Sequence, residues 1–313
     1  MNRCLVIGIL LFTAVTVQSV ELPRHYIDLE AGMGVGSLGY ELKGGKTLLT
    51  PSFTFGAGYT WFFLPSVGVH TGVDVSRTAS LAMLTDVMEW STWPDGTGLT
   101  DYMGEAYTHR THFSDWREKQ QVWFLQVPVG LRFRQYAPVS RQNSAFSRFG
   151  LQAGAGILLS MPVRANYHHT SGELVHSGWY EQWHLLLHDI PGRFETEPFT
   201  AQREPISGSL KRFVLSVYAE TGLLVRPDER TELSFLLYVQ WMPQDVLSVR
   251  SDECPSLGFA SEANGYTFMY VYHGLIGTSQ TTALHPWCTG LKICLSLYPG
   301  KTAAEKKRCM CDW

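Results

Sequence analysis

The stretch "FLQVPVGLRFRQY", residues 124–136, decides the fold, because its hydrophobic residues occupy every second position. A period of two residues is typical of a β-strand with two different faces. One face carries Leu125, Val127, Val129, Leu131 and Phe133, and the other carries Gln126, Pro128, Gly130, Arg132 and Arg134. The kind of protein depends on which of these faces points inward.

Composition sets broad limits on the class of protein. The chain has 313 residues, of which 45% are hydrophobic and 17% charged, and its formal net charge is −3. This length allows one large domain or two small ones. The net charge gives no reason to expect a nucleic acid as a partner.

The N-terminal residues have the pattern of a secretory signal peptide. Arg3 supplies a positive charge, and "LVIGILLFTA" (residues 5–14) is an apolar run of about ten residues, too short to span a bilayer. A small-residue cleavage site follows at residues 17–19, so we expect residues 1–19 to be removed on export. A short membrane anchor or a buried helix is the alternative. Cys4 precedes the apolar run, so we expect no lipidation.

The opening alternation recurs in eight segments of about 9–15 residues, the length that a tilted membrane strand needs. These segments are residues 27–35, 52–62, 67–76, 124–136, 149–163, 212–226, 231–241 and 287–298. Short connections (64–66, 137–145 and 227–230) alternate with one modest loop (41–50) and three long loops (77–120, 164–211 and 243–285). An up-and-down meander then has all short turns at one end, as in outer-membrane barrels.

The polar face distinguishes a membrane barrel from a soluble, lipocalin-like one, whose apolar face points inward. Glycine is unfavourable at solvent-facing strand positions, but it suits the narrow lumen of an eight-stranded barrel, which side chains must just fill. The polar face carries the glycines 32, 34, 56, 58, 68, 72, 130, 154, 156, 222 and 290. Its arginines and lysines would each cost roughly 2–4 kcal/mol against lipid. The polar face therefore belongs inside.

The sequence thus predicts an all-β fold, an eight-stranded antiparallel up-and-down transmembrane β-barrel with long external loops. The barrel covers residues 20–298, and residues 299–313 form a short periplasmic tail. Aromatic residues at the predicted strand ends form two girdles, which outer-membrane barrels place about a membrane thickness apart. The girdles comprise Tyr26, Trp61, Tyr136, Phe149 and Tyr298 at the short-turn end, and Trp123, Trp241 and Trp287 at the long-loop end.

Three stretches resemble outer-membrane β-barrel proteins of the Bacteroides group. They are "WREKQQVWFLQVPVGLRF" (116–133), "FGLQAGAGILLSMPVRANYHHTSGELVHSGWY" (149–180) and "HPWCTGLKICLSLY" (285–298). The resemblance implies an OmpA-like eight-stranded barrel whose family tolerates proline at position 128. Many relatives carry a peptidoglycan-binding domain after the barrel, and we expect this chain to lack that domain and its tethering role.

Charged residues of the inward face form the main candidate site. They are Asp28, Glu30, His70, Asp74, Arg132, Arg134, Arg148, Glu220, Arg226, Glu232 and Lys292. They could form a gated ion path or a salt-bridged plug. We favour the plug, because eight strands leave little open lumen and unpaired buried charges are costly. We expect Arg132 and Arg134 to pair with carboxylates such as Glu30, Asp74 and Glu220, and Pro128 to face inward beside a bulge or a missing ladder hydrogen bond.

Histidines in the third long loop suggest a metal site as a weaker alternative. The loop contains His168, His169, His176, His184 and His188. If "HLLLH" (184–188) were helical, its two imidazoles would lie on one face, as zinc ligands often do. The metzincin-type glutamate is absent, because Leu185 follows His184. We therefore expect surface histidines and neither a metal nor a cofactor.

Enzymatic activity is a further alternative that the sequence does not favour. An acyltransferase barrel needs an apolar lumen, and omptin-type proteases use ten strands. A lipid deacylase needs His-x-Ser at the outer rim; His112-Phe113-Ser114 has this spacing but falls in a predicted loop. We expect no enzyme.

Five cysteines follow the signal peptide, namely Cys254, Cys288, Cys294, Cys309 and Cys311. Because Cys254 and Cys288 both belong to the long-loop end, the sequence allows a disulfide between them. Cys309-x-Cys311 is a weak candidate for a redox or metal pair.

The sequence as a whole indicates a non-enzymatic outer-membrane barrel, structural or loop-presenting, with a closed polar lumen and periplasmic termini. Its partners would be outer-membrane lipid and an extracellular or envelope protein that binds loops 77–120, 164–211 and 243–285. A small-solute or ion pore and a lipid-modifying enzyme are the alternatives, and a soluble periplasmic barrel is a third.

Overall fold

The computed structural model describes residues 22–91, 99–101, 103–137, 149–188, 203–205, 210–248, 257–261, 268–272, 274–276, 278 and 280–300. The predicted signal peptide, Arg148, Cys254, Cys309 and Cys311 lie outside these ranges.

Strands account for nearly all regular structure in the described residues. They are β1 (His25–Ser37), β2 (Gly45–Phe62), β3 (Val67–Ser91), β4 (Leu99–Thr100), β5 (Ala106–Tyr136), β6 (Phe149–Tyr180), β7 (Leu185–His188), β8 (Arg203–Pro205), β9 (Val214–Val225), β10 (Thr231–Trp241), β11 (Leu257–Ser261), β12 (Phe268–Tyr272) and β13 (Trp287–Leu297). A 3-10 turn, Glu181–Trp183, links β6 to β7.

Eight of these strands close into a ring in the order β1-β2-β3-β5-β6-β9-β10-β13, and β13 pairs back with β1. Every neighbouring pair is antiparallel. Each ring strand therefore lies next to the ring strand that precedes it in the chain. The predicted eight-stranded up-and-down barrel is confirmed.

No helix among the described residues is long and apolar enough to cross a membrane.

The two faces of the ring strands have opposite polarity. In β13, Leu291 and Ile293 point outward and are 61% and 48% exposed, whereas Lys292 and Cys294, which alternate with them, are buried. The eleven residues of β13 span roughly 28 Å along the barrel axis at about 3.3 Å per residue and about 40° of tilt, close to the apolar band of about 25 Å in outer-membrane barrels. The outer surface of the ring is thus an apolar band.

Three strands are much longer than predicted, with 25 residues in β3, 31 in β5 and 32 in β6. Much of the predicted loops 77–120 and 164–211 is therefore sheet. The prediction ended these strands too early because their outward positions turn polar, as at Arg117 and Lys119, while the backbone pairing continues. We call residues 78–91, 106–122 and 165–180 the projecting sheet.

The long-loop end of the barrel has an apolar interior. One cluster of buried residues packs there, formed by Leu38, Tyr40, Val122, Phe124, Val214, Met242, Val246, Leu247, Ile276 and Leu284. A second cluster continues into the projecting sheet and includes Leu84, Phe113 and Trp116. Residues from the first and fourth connections of the long-loop end thus fill the mouth of the barrel.

Pro128, on β5, is buried and faces the barrel interior. Its strand pairs with β3 at Thr71–Val129 and again at Asp74–Gln126, and the ladder skips the positions between them without a change of register. Pairing with β6 continues through Pro128–Leu158. Because proline has no N–H to donate, one gap in the ladder without a bulge follows directly, as predicted.

The structure places six of the eight predicted girdle residues on the outer surface of the ring. Trp61, Trp241 and Phe149 are about half exposed on the outer surface, and Trp123, Trp287 and Tyr298 are partly exposed. Tyr26 and Tyr136 were assigned wrongly. Tyr26 occupies an inward position of β1 and is 1% exposed, and the Tyr136 hydroxyl donates to Glu232 in the interior.

Candidate functional site

Charged side chains converge inside the ring from six of its eight strands. Because side chains alternate along a strand, each occupies an inward position, and the narrow lumen brings them together. The structure places these predicted residues in the interior, all of them 9% exposed or less: Asp28, Glu30, His70, Asp74, Arg132, Arg134, Glu220, Glu232 and Lys292. Arg226 does not join them, because its guanidinium donates to carbonyls of the adjoining turn.

Arg132 is the centre of the main ion-pair cluster. Its Nη1 donates to Asp28 Oδ2 at 2.8 Å, and its Nη2 donates to Glu30 Oε1 at 2.7 Å and to Glu220 Oε1 at 3.2 Å. Arginine suits this position because its planar guanidinium presents several donors in fixed directions. The side chain of one residue on β5 therefore links β1 and β9 across the lumen.

Lys292 completes a closed ring of charges. Its Nζ donates to Glu30 Oε2 at 2.9 Å and to Glu220 Oε2 at 3.0 Å. Each of these glutamates thus bridges one arginine and one lysine. Four strands, β1, β5, β9 and β13, are joined by side chains at this level, and the charges satisfy one another instead of facing an open channel.

Asp28 is held by further polar contacts. Ser296 donates to its Oδ1 at 2.5 Å, and Thr60 donates to its Oδ2. His70 Nδ1 lies 3.2 Å from Asp28 Oδ2, and His70 Nε2 lies 3.7 Å from Glu30 Oε1. These contacts extend the hydrogen-bond network around Arg132, although the buried Arg132 Nε itself has no hydrogen-bond partner among the described residues. Such a network lowers the cost of keeping charges in a barrel interior.

Asp28, Glu30 and His70 are close enough to hold a metal ion, with their ligand atoms within 4.8 Å of one another. However, Arg132 donates to the same Asp28 Oδ2 and Glu30 Oε1 atoms. A metal cation at this point would be repelled by the guanidinium that already neutralises these oxygens. The ion pairs account for the group without a metal.

A second cluster lies nearer the short-turn end. Arg134 Nη1 donates to both oxygens of Glu232, at 2.9 and 3.1 Å. Tyr26 and Tyr136 also donate to Glu232 Oε1, at 2.6 and 2.5 Å. The Arg134 guanidinium stacks over the Phe62 ring, 3.7 Å from its centroid. The interior is thus filled at this level as well.

The predicted partners of Arg134 were wrong. The sequence suggested Glu30, Asp74 or Glu220, but Arg134 lies one inward position closer to the short turns than Arg132, at the level of Glu232 near the start of β10. Asp74 has no ion pair within 4.0 Å among the described residues. It lines a cavity of about 20 Å³ with Tyr218, Tyr238 and other residues, which has room for about one water molecule.

The histidines of the third external connection do not form a helical pair. His184 has a left-handed backbone conformation (φ 50°) after the 3-10 turn, and "LLLH" that follows is strand β7. The i,i+4 zinc geometry is therefore absent. His176 instead contacts His109, which the sequence did not single out; His109 Nε2 lies 3.2 Å from His176 Nδ1, and both are buried.

His112 and Ser114, which have the spacing of a deacylase motif, lie on strand β5 and not in a loop. His112 Nε2 is 2.5 Å from Asp86 Oδ1 on β3, and the Asp86 carboxylate is largely exposed. Among the described contacts, Ser114 makes no hydrogen bond to His112. The geometry is that of a surface ion pair and not of an activated serine.

The cysteines give no disulfide in the described part of the chain. Cys288 and Cys294 are both buried free thiols. Cys288 faces the interior and donates to Gln240 Oε1 at 3.8 Å. Its predicted partner, Cys254, lies outside the described residues, so a Cys254–Cys288 disulfide is not confirmed.

No protein-family model and no curated protein matches the chain. Among solved structures, Neisserial surface protein A is similar with 6% sequence identity and a TM-score of 0.34, over 88% of this chain and 97% of that one. Ail, the attachment invasion locus protein of Yersinia pestis, crystallised with the heparin analogue sucrose octasulfate, is 10% identical with a TM-score of 0.32, over 88% of this chain and 98% of that one.

Proposed function

We propose that this chain is a non-enzymatic outer-membrane β-barrel protein with a closed interior, and that it acts as a structural or surface-binding protein through its long-loop end. One observation carries the proposal: the ring is apolar outside and charged inside. A soluble barrel has the opposite arrangement. A continuous apolar band around the whole ring far exceeds the apolar patches of soluble monomers, whereas lipid accommodates it.

The closed interior argues against a pore. The charged cluster around Arg132, the cluster around Glu232 and the apolar cluster at the external mouth fill three successive levels of the lumen. Protein reconstituted into planar bilayers should give no large steady conductance. Stable open channels of nanosiemens size would instead support the alternative of a solute or ion pore.

Lipid modification is the enzymatic alternative. The Asp86–His112 pair lies close to Ser114 on the outer face of the projecting sheet, so this alternative has a specific test. Mass spectrometry should find the same lipid A in a deletion strain as in the parent strain. A changed acylation pattern that Ser114→Ala reproduces would contradict the non-enzymatic proposal.

The projecting sheet is the part of the molecule best suited to contact a partner. It extends past the apolar band, and the 3-10 turn that follows β6 exposes Trp183 (54%), which stacks on Tyr180 with 5.3 Å between ring centroids. Exposed aromatic residues are common at the centre of binding surfaces. The partner we propose is an extracellular or envelope protein.

The strand register allows the projecting sheet to be shortened without a change in the barrel. Asp86 pairs with Ser114, so a tight Asn-Gly turn can replace residues 87–113 and keep the barrel intact. The shortened protein should fold and lose adhesion or partner pull-down from intact cells. Replacement of residues 138–148 at the opposite end is the matched control. If binding survives while envelope integrity fails in a deletion strain, the purely structural role is correct.

Orientation follows from the sequence resemblance to barrels of the Bacteroides group. We infer that the short turns and both termini are periplasmic and that the projecting sheet faces outward. An epitope tag placed within residues 92–98 should be accessible on intact cells, and one within residues 138–148 should not. The reverse labelling pattern would invert the orientation.

A further inference from the structure

Basic side chains are concentrated on one side of the barrel just beyond the apolar band. Trp123 of the outer girdle pairs with Arg77 on β3 and with Arg164 on β6. Further from the band, Lys119 pairs with His168, and Arg117 and Lys46 both pair with Met83. We call Lys46, Arg77, Arg117, Lys119 and Arg164 the basic belt.

The belt is compact and accessible. Neighbouring strands are about 4.8 Å apart, so the belt, which extends from β2 to β6, is roughly 14 Å wide. The six residue steps from Trp123 to Arg117 cover roughly 20 Å of β5. Lys46, Arg117, Lys119 and Arg164 are exposed. Arg77 is ordered by Gln121, whose Oε1 accepts from its Nε at 3.0 Å and from its Nη2 at 2.8 Å.

Among the described residues, no carboxylate lies within 4.0 Å of the basic groups of Lys46, Arg117, Lys119 or Arg164. Glu118 has the opposite orientation, because it is 0% exposed and accepts from Gln120 and from the Leu275 backbone N–H. The next acidic residue along β5 is the exposed Asp115, which lies in the register shift that follows Ser114, and Asp86 and Glu173 lie beyond that shift. An external anion would therefore relieve the mutual repulsion of these four cations.

Among the described residues, the other half of the barrel has fewer basic side chains at the same level. The outward residues there include Phe213, Trp241 and Trp287. The basic residues beside them are Lys211, whose Nζ donates to the Asp245 carbonyl at 2.7 Å, and Arg212, whose guanidinium lies 5.5 Å from the Phe213 ring centroid. The one-sided distribution indicates a local binding site and not a general preference for basic residues at the membrane surface.

We propose that the basic belt binds the phosphate-bearing headgroup of a lipid in the outer leaflet; this inference rests on the proposed membrane location. Two features favour a lipid over a soluble anion. Arginine and lysine match phosphate in charge and hydrogen bonding. The belt also borders outward apolar residues such as Val75 and Leu159, on which acyl chains of the same molecule can pack while the headgroup contacts Arg164 and Lys119.

Two lipids with identical acyl chains test the proposal, namely phosphatidic acid and diacylglycerol, each as a minor component of phosphatidylcholine vesicles. The full chain is reconstituted, and the lipid retained on it is measured by native mass spectrometry. Phosphatidic acid should be retained preferentially. Lys119→Gln/Arg164→Gln should reduce its retention about tenfold or more, because each basic residue near a phosphate surface contributes several-fold.

A matched control removes the same charge elsewhere. Arg24→Gln/Arg212→Gln replaces two exposed arginines outside the belt and should retain phosphatidic acid like the parent. Millimolar inorganic phosphate should not displace the lipid. Equal retention of both lipids, equal losses in the belt and control variants, or displacement by free phosphate would overturn the proposal. Flotation of the vesicles distinguishes failure of this proposal from failure of the proposed membrane location. Protein that floats with the vesicles but shows no lipid preference contradicts only lipid binding by the basic belt. Protein that does not float contradicts the membrane location as well.

Discussion

Arg132 on β5 donates a hydrogen bond to Asp28 on β1 at 2.8 Å, although 104 residues separate them in the chain. Two strands, β2 and β3, lie between β1 and β5 in the ring. The two side chains therefore meet across the lumen and do not belong to neighbouring strands. A side chain that crosses the lumen in this way both obstructs it and ties opposite walls of the barrel together.

Arg132→Met should strongly destabilise the barrel. The substitution leaves Asp28, Glu30 and Glu220 with too few cations, and breaking a buried ion pair by removal of one partner costs about 3–5 kcal/mol. Urea unfolding in detergent micelles, followed by heat-modifiable gel migration, measures the loss. Arg212→Met, at an exposed site, should change stability by less than about 0.5 kcal/mol. Equal stability of the two variants would contradict the central role of Arg132.

Glu232→Gln should destabilise the short-turn end. Glu232 accepts hydrogen bonds from Arg134, Tyr26 and Tyr136, and a neutral amide leaves the buried guanidinium without its counter-charge, at a cost of roughly 3 kcal/mol. The same unfolding experiment applies. The control is Glu229→Gln in the adjoining turn, whose side chain is exposed. A variant of Glu232 as stable as this control would show that the second cluster contributes little.

Gly290→Ala should be poorly tolerated, because Gly290 pairs with Gly34 inside the barrel. A Cβ atom on Gly290 would lie 2.2 Å from the Met33 carbonyl oxygen and 2.5 Å from Gly34 Cα, both of them backbone atoms. Overpacking of this kind costs about 1–3 kcal/mol. Thr289→Ser, which keeps the hydroxyl that donates to Tyr238 O, is the neighbouring control. Unchanged stability of the alanine variant would show that the barrel interior has room for the added methyl group.

The projecting sheet should loosen in acid through the His109–His176 pair. Burial lowers the pKa of His109 to about 3, with a contribution from neighbouring His176, and burial lowers the pKa of His176 to about 4. In an unfolded segment both would titrate near 6.5. The stability linked to the neutral imidazoles is thus complete above pH 6.5 and is lost as the pH falls towards 4 and then 3.

At pH 5 the loss is on the order of 2 kcal/mol per histidine, because each pKa unit corresponds to about 1.4 kcal/mol. Hydrogen exchange of residues 107–113, corrected for intrinsic rates, should show less protection at pH 5 than at pH 7. His109→Phe/His176→Phe keeps stacked rings without a titratable group and should abolish the difference. An equal pH effect in this variant would assign the acid sensitivity to other groups.

The barrel could be predicted from sequence because lipid imposes a strict requirement on one face. In β13 the outward residues Leu291, Ile293 and Leu297 are apolar, so Leu291 and Lys292 have opposite environments that the alternation reveals. The same reasoning explains the gap beside Pro128, since a closed ring has no edge strand in which a proline can avoid the ladder. The interior position of Tyr26 also follows from the alternation of β1, but its place at a strand end suggested a girdle residue.

The remaining features depend on information that the alternation does not contain. Beyond Trp123 both faces of β5 carry polar residues, so the period of two disappears although the strand continues to Ala106. The pairing of Arg134 with Glu232 depends on the shear of the ring, which sets the level of each strand and is not visible in a single strand. The sequence "HLLLH" fits a helix by spacing, but a left-handed His184 and a short strand occur instead.

The outward polarity of the ring is the central claim, and nitroxide accessibility tests it most directly. Single spin labels at Met33, Leu237 and Leu291, all more than 60% exposed, are introduced into a variant without native cysteines and reconstituted into vesicles. The account predicts frequent collisions with oxygen, which partitions into lipid, and rare collisions with a water-soluble nickel chelate. Frequent collisions with the nickel chelate at these positions would place the apolar band in water and contradict the membrane barrel.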